Sequence, residues 1–168
     1  MKRIITDIII HCSATPNGTD FDAADIDAMH KARGFTKIGY HFVICINGDI
    51  QLGRDIEEIG AHVKGYNSHS IGICMIGLNK FTVEQWQSLQ RCVLDVAGKV
   101  LGVEVATPAS CAISLHNAGV ALKGHRDYSP DLNGDGIIER TEWIKDCPNF
   151  DVSEWVRGGM VEMKGVTL

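Results

Sequence analysis

The chain has 168 residues, 45% of them hydrophobic and 22% charged, and a net charge of -5. That is enough for one domain with a substantial core, in the ordinary globular range. An acidic chain without a basic run does not bind nucleic acid by neutralising phosphates, and no apolar stretch approaches the length of a membrane span. A monomer with neither of these partners is expected. The six cysteines form no C-x-x-C pair, and Cys45, Cys74 and Cys92 fall within apolar periodic stretches. Buried, reduced thiols follow.

The opening, MKRIITDIIIHCSAT, imitates a signal peptide, but Asp7 breaks the apolar run. It reads better as a first strand from Ile4 to Ile10, closing on His11. A loop with Pro16 and Gly18 follows, then a helix over Asp22–Arg33, capped by Thr19 or Asp20 and ended by Gly34. His30 reads as a surface or helix-end residue. Gly39–Ile46 reads as a buried strand, turned by Asn47-Gly48-Asp49 into Ile50-Gln51-Leu52, because Asn-Gly between apolar runs marks a hairpin. Tyr40 and His41 fall on opposite faces of it, so one of them shares the side of His11.

The loop Ala61–Asn67 holds His62, Lys64 and Asn67, which either line a substrate groove or are simply solvated. Ile71–Ile76 reads as a third central strand. Thr82 and Gln85 make a capping box for a long helix from Val83 to about Leu101, whose stripe of Trp86, Leu89, Val93 and Val96 is core. Small residues and Pro108 make residues 103–118 a loop with at most a short strand, and His116 a structural residue. Val120–Gly124 reads as a strand that delivers His125. Asp151 caps a short helix through Val156, and the chain ends in a loose tail from about residue 158.

The stretch Gly124–Pro148 carries the chemistry. A neutral imidazole and a thiolate are both good zinc ligands, and a catalytic zinc needs three protein ligands plus an open position. His125 and Cys147 lie in this stretch, and His11, at the end of a rigid strand, is the best third. Between His125 and Cys147, Asp131, Asn133, Asp135, Gly136 and Glu142 match D-x-[DN]-x-[DN]-G-x5-E, the twelve-residue calcium loop of EF-hands. Ile137 would add a backbone carbonyl, and Glu139 a direct or water-mediated contact. Ser129-Pro130 interrupts any helix before the loop, so a paired EF-hand domain is not expected.

His11-Cys12-Ser13-Ala14-Thr15, Gly39-Tyr40-His41-Phe42, Gly53-Arg54-Asp55, Lys64-Gly65-Tyr66-Asn67, Ser70-Ile71-Gly72 and Lys145-x-Cys147-Pro148 follow one another along the chain. In that order they resemble the zinc-dependent N-acetylmuramoyl-L-alanine amidases, above all the small phage lysozymes with amidase activity, relatives of the peptidoglycan recognition proteins. The resemblance runs from about Ile4 to Val156. It implies an α/β fold, a mixed central β-sheet flanked by helices, with a zinc cleft on one side. It implies hydrolysis of the amide between N-acetylmuramic acid and L-alanine in peptidoglycan. It also places the zinc on His11, His125 and Cys147 and the catalytic roles on Tyr40 and Lys145.

Against the compact family pattern, the interval from His125 to Lys145 is lengthened by the loop 131–142. The chain is then one amidase domain over residues 1–168, taking zinc and calcium. Made in the cytoplasm without a signal peptide, it would act on the cell wall after release. The alternative is a non-catalytic peptidoglycan-binding module of the same fold, a class marked by loss of the cysteine ligand.

Overall fold

A computed structural model describes residues 3–168 as a single-domain α/β fold; Met1 and Lys2, at the signal-like start, lie outside the described residues. The elements are β1 (Asp7–Cys12), α1 (Ala23–Ala32), β2 (Phe42–Ile44), β3 (Ile50–Leu52), β4 (Ser70–Met75), α2 (Val83–Leu101), α3 (Pro108–Ala118), β5 (Ala121–Gly124) and α4 (Val152–Arg157). Single 3-10 turns cover Asn67–His69, His125–Tyr128 and Arg140–Glu142. The strands form one sheet in the order β3-β2-β4-β1-β5, and only the β2–β3 hairpin is antiparallel.

β1 and β4 are buried at every position, as the inner strands of a sheet covered on both faces must be. Alternation sorts their side chains. Ile8, Ile10 and Cys12 of β1 and Ile71, Ile73 and Met75 of β4 join the larger core with α2, α3 and α4. Val43, Cys45 and Ile76 pack with Ile26 of α1 on the opposite face. His11 alternates with Ile10 and Cys12, so it projects to the α1 side.

The first strand lies later than expected, over Asp7–Cys12, because Ile4 is solvent-exposed and His11 pairs within the sheet opposite Cys74. α1 is capped by Asp22, in a reciprocal box with Asp25. The larger correction is α3. Residues 108–118 are a helix, not a loop: Thr107 caps it, and Pro108 stands in the first turn, where its missing N–H costs nothing. His116 is exposed near its end. All six cysteines are unpaired and buried.

The expected loose tail is also corrected. Met160 is 1% exposed, its N–H donates to the carbonyl of Trp155, and its own carbonyl accepts from Gln90. Phe81 and Thr167 form a parallel bridge flanked by hydrogen bonds from Phe81 N to Val166 O and from Leu168 N to Phe81 O. Truncating a buried Met to Ala typically costs about 2–5 kcal/mol. Met160→Ala should lower the unfolding free energy by that order in urea titration; a change within ~0.5 kcal/mol, usual for surface positions, would make the tail peripheral after all.

Candidate metal centre and its cleft

Among the described residues, one group of three side chains has metal-ligand geometry: His11, His125 and Cys147, whose ligand atoms all lie within 4.8 Å of one another. Each is carried differently. His11 sits in the inner strand β1, His125 opens the turn after β5, and Cys147 ends the long excursion that begins at Ser129. The donor set, two imidazoles and a thiol, is the chemistry zinc takes.

Burial tunes the imidazoles. Desolvation, with the neighbouring His62, His125 and Lys145, holds His11 well below the usual histidine range. Desolvation and the Lys145 cation bring His125 down to about 4. Both are neutral at pH 7 and free to donate a lone pair. The Cys12 thiol, 3.9 Å from Cys147 Sγ, and burial push Cys147 above its usual range; a bound cation would reverse that balance. The backbone N–H of Cys12 points at the same sulfur, 3.3 Å away, which supports a thiolate.

His11 is oriented from behind. Its Nε2 lies 3.0 Å from Nδ1 of His62, whose Nε2 lies 3.3 Å from Ser70 Oγ. His11 Nδ1, the atom facing Cys147 at 3.8 Å, is unprotonated only if Nε2 donates to His62 and His62 in turn donates to Ser70. A ligating histidine held by its second nitrogen is the usual arrangement around a metal. Glycine makes room for it: a Cβ on Gly72 would stand 2.8 Å from the His62 ring. His62 therefore serves His11 as well as lining the cleft.

The other two residues expected in the substrate groove are placed elsewhere. Asn67 turns its side-chain carbonyl onto the backbone N–H groups of His62 and Val63, at 2.8 and 2.9 Å, so it shapes the loop. Lys64 is exposed and does not line the cleft.

The cleft, about 390 Å³, is lined on one side by Tyr40, His62, His125, Lys145 and Cys147. The Tyr40 ring centroid is 5.0 Å from that of His11. Just before it, Gly39 presses onto the next loop, where a Cβ would collide with the Ala61 carbonyl oxygen. His41, next in the chain, is fully buried with its ring centroid 5.7 Å from that of His62: Nδ1 accepts from Gly72 N–H at 3.0 Å, and Nε2–H donates to the Glu58 carbonyl at 3.0 Å. Desolvation raises the Tyr40 phenol well above its ordinary range, so it stands as an O–H donor.

His30 was the functional-site neighbour that sequence reading missed. It is 7% exposed, lines the cleft, accepts from Gly39 N–H at 2.9 Å and has its ring centroid 5.3 Å from that of Tyr40. Its place one helical turn after the buried Ile26 was the available signal.

The loop 131–142 is folded on its own backbone. Asp131 accepts from the N–H groups of Gly134 and Gly136, and Glu142, which is buried, accepts from Leu132, Asn133 and Glu139. Asp135 accepts from Asn133 Nδ2 and Ile137 N–H. Among the described residues, its carboxylates do not converge as the donor atoms of His11, His125 and Cys147 do.

The fold and cleft define a single-domain α/β protein with one candidate His-His-Cys metal centre. The sequence profile described as N-acetylmuramoyl-L-alanine amidase matches residues 1–135, and the chain belongs to that family. It is 30% identical to an endolysin of Klebsiella phage KP32, over 92% of this chain and 87% of the phage protein. Its fold is similar to an N-acetylmuramoyl-L-alanine amidase of Clostridium intestinale, with a TM-score of 0.66 at 24% identity over 93% of this chain and 85% of that one. It is also similar to a Tyr-to-Phe mutant of Drosophila PGRP-LB, solved in complex with tracheal cytotoxin: TM-score 0.61, 20% identity, covering 97% and 86% of the two chains.

The neutral imidazoles carry a pH signature. His41 and His125 titrate near 4 in the fold and His62 near 3, against 6.5 when unfolded. Below 6.5 the unfolded chain binds more protons than the native one, so stability must fall on acidification. Urea titrations from pH 7 down to pH 4 should show a progressive loss across that window. A flat profile would mean that these histidines protonate freely in the fold.

Proposed function

We propose that the protein is a zinc-dependent hydrolase that cleaves the amide between N-acetylmuramic acid and L-alanine in peptidoglycan. The observation that carries this is the convergence of His11, His125 and Cys147 at a cleft in a chain of the amidase family. The phage endolysins among its relatives support action on the cell wall after release.

His11, His125 and Cys147 would hold the zinc, leaving the cleft side for substrate. When bound, zinc supplies Lewis-acid polarisation of the amide carbonyl and a nucleophilic water at neutral pH. Tyr40, an O–H donor beside His11, orients the attacking water or the carbonyl. Lys145, exposed on the lining of the cleft, brings a cation to the oxyanion that develops during attack. His62 holds His11 in the tautomer that presents Nδ1.

The test is release of muropeptides from purified peptidoglycan, with and without a zinc chelator. His11→Ala and Cys147→Ser should lose both zinc and turnover. Tyr40→Phe and Lys145→Ala should keep zinc and lose about 10²–10³ in kcat, the usual effect of one transition-state donor. Full zinc occupancy in Cys147→Ser would remove the ligand assignment, and near-normal kcat in Tyr40→Phe and Lys145→Ala would remove the mechanism. Muropeptide binding with no release by the zinc-loaded wild type would make the protein a binding module instead.

The reading extends to calcium at the loop 131–142, where Asp131, Asn133, Asp135, Ile137, Glu139 and Glu142 stand in the EF-hand pattern. Support comes from that spacing and from backbone amides that already gather around Asp131 and Glu142. Calorimetry should detect calcium binding to the wild type and a large loss in Glu142→Gln. No heat with the wild type would leave a hydrogen-bonded acidic loop and nothing more.

A further inference from the structure

Arg126 follows His125 directly, yet it does not line the cleft and is 8% exposed. A buried guanidinium is costly unless its charge and its donors are matched. Here Nη1 is 3.3 Å from Asp146, Nη2 is 3.3 Å from Asp151 and Nε is 3.8 Å from Asp127. The guanidinium carbon also stands 4.2 Å from the centroid of the Trp143 ring. Two of these four partners bracket Lys145: Trp143 two residues before it and Asp146 directly after. The backbone N–H of Arg126 adds a 2.8 Å hydrogen bond to the Cys147 carbonyl.

Building on the zinc reading above, the geometry points to Arg126 as the positioning residue of the metal centre. Its side chain clamps Trp143 and Asp146 against the turn that carries His125. That clamp sets where Lys145 and Cys147 stand relative to His11 and His125.

The need for such a clamp follows from the chain path. His11 is fixed by a central strand and His125 by the end of β5. From Ser129 to Cys147 the only regular element is the turn Arg140–Glu142, and most of the segment is exposed. The end of a segment so long is poorly determined unless something pins it. Asp127 on the same turn and Asp151 at the cap of α4 hold the guanidinium from the framework side. Trp143 and Asp146 are what it holds in place. Lysine cannot reproduce this, because it lacks the planar fork and the stacking face.

A purely structural ion pair would change melting temperature and leave the metal site of the folded protein untouched. The decisive readouts are therefore zinc affinity, by competition with a chromophoric chelator, and the thiolate-to-cobalt absorption of the cobalt-substituted protein. Arg126→Leu and Asp146→Asn should each lose roughly 10- to 100-fold in zinc affinity, the range for partners behind a ligand, and weaken the thiolate band. Arg126→Lys should fall between them and the wild type, and kcat should drop with KM little changed. Wild-type affinity and spectrum in folded Arg126→Leu overturn the inference; if that variant does not fold, the same result in Asp146→Asn does. If the wild type takes up no zinc, the zinc reading fails and this inference with it; if it binds zinc and the variants match it, this inference alone fails.

Discussion

Two imidazoles and a thiolate can share one cation only if their donor atoms converge within a few ångströms. The candidate donors of this chain, residues 11, 125 and 147, are far apart in sequence and yet converge. The sheet solves most of it. β1 lies between β4 and β5, so the strand that bears His11 is hydrogen-bonded beside the strand that ends at His125. Parallel register then puts both imidazoles at the same edge, with ring centroids 4.8 Å apart. Burial that drives the packing of Ile8, Ile9 and Ile10 also desolvates His11 and keeps it neutral. Core formation and ligand preparation are thus one event for this residue.

How much of this was legible in the sequence depended on whether a feature was local. The hairpin at Asn47-Gly48, the capping box of Thr82 and Gln85, and the cap at Asp151 are short-range chemistry, and they stand as read. His11 and His125 are legible as candidates because each closes an apolar strand-like run, and Cys147 because it is the thiol in the stretch that begins at His125. α3 is hard to read locally because Pro108 among small residues resembles a breaker, whereas Thr107 before it and Ser110 after it make a helix start. The tail was missed for a different reason: Met160 is buried by Trp155 and α2, contacts that no local pattern records. Side-chain direction in the loop 61–67 was equally out of reach, since Asn67 faces the loop interior and only backbone amides say so.

The acidic loop 131–142 bears on the support of Cys147, the third candidate ligand, more than on its chemistry. Its carboxylates are turned onto the loop's own amides, with Glu142 buried at the end. Trp143 and Ile144, which follow, are tied to Arg126 and to the Ser129 hydroxyl. The loop therefore closes on itself before the chain reaches Lys145, and whatever mobility it has is separated from Cys147 by that tie.

Lys145 connects the electrostatics of the ligands with the chemistry proposed for the cleft. Its cation lowers the proton affinity of His11 and His125, which helps keep both lone pairs available. The same charge, exposed on the lining, is what an oxyanion formed in the cleft would meet. A lysine in this place acts on both at once, because repulsion of a proton and attraction of an oxyanion have one electrostatic origin. Removing it would then favour protonated imidazoles as well as weaken the transition state. Those two consequences separate with pH: the first grows on acidification, while the second persists where the imidazoles are already neutral.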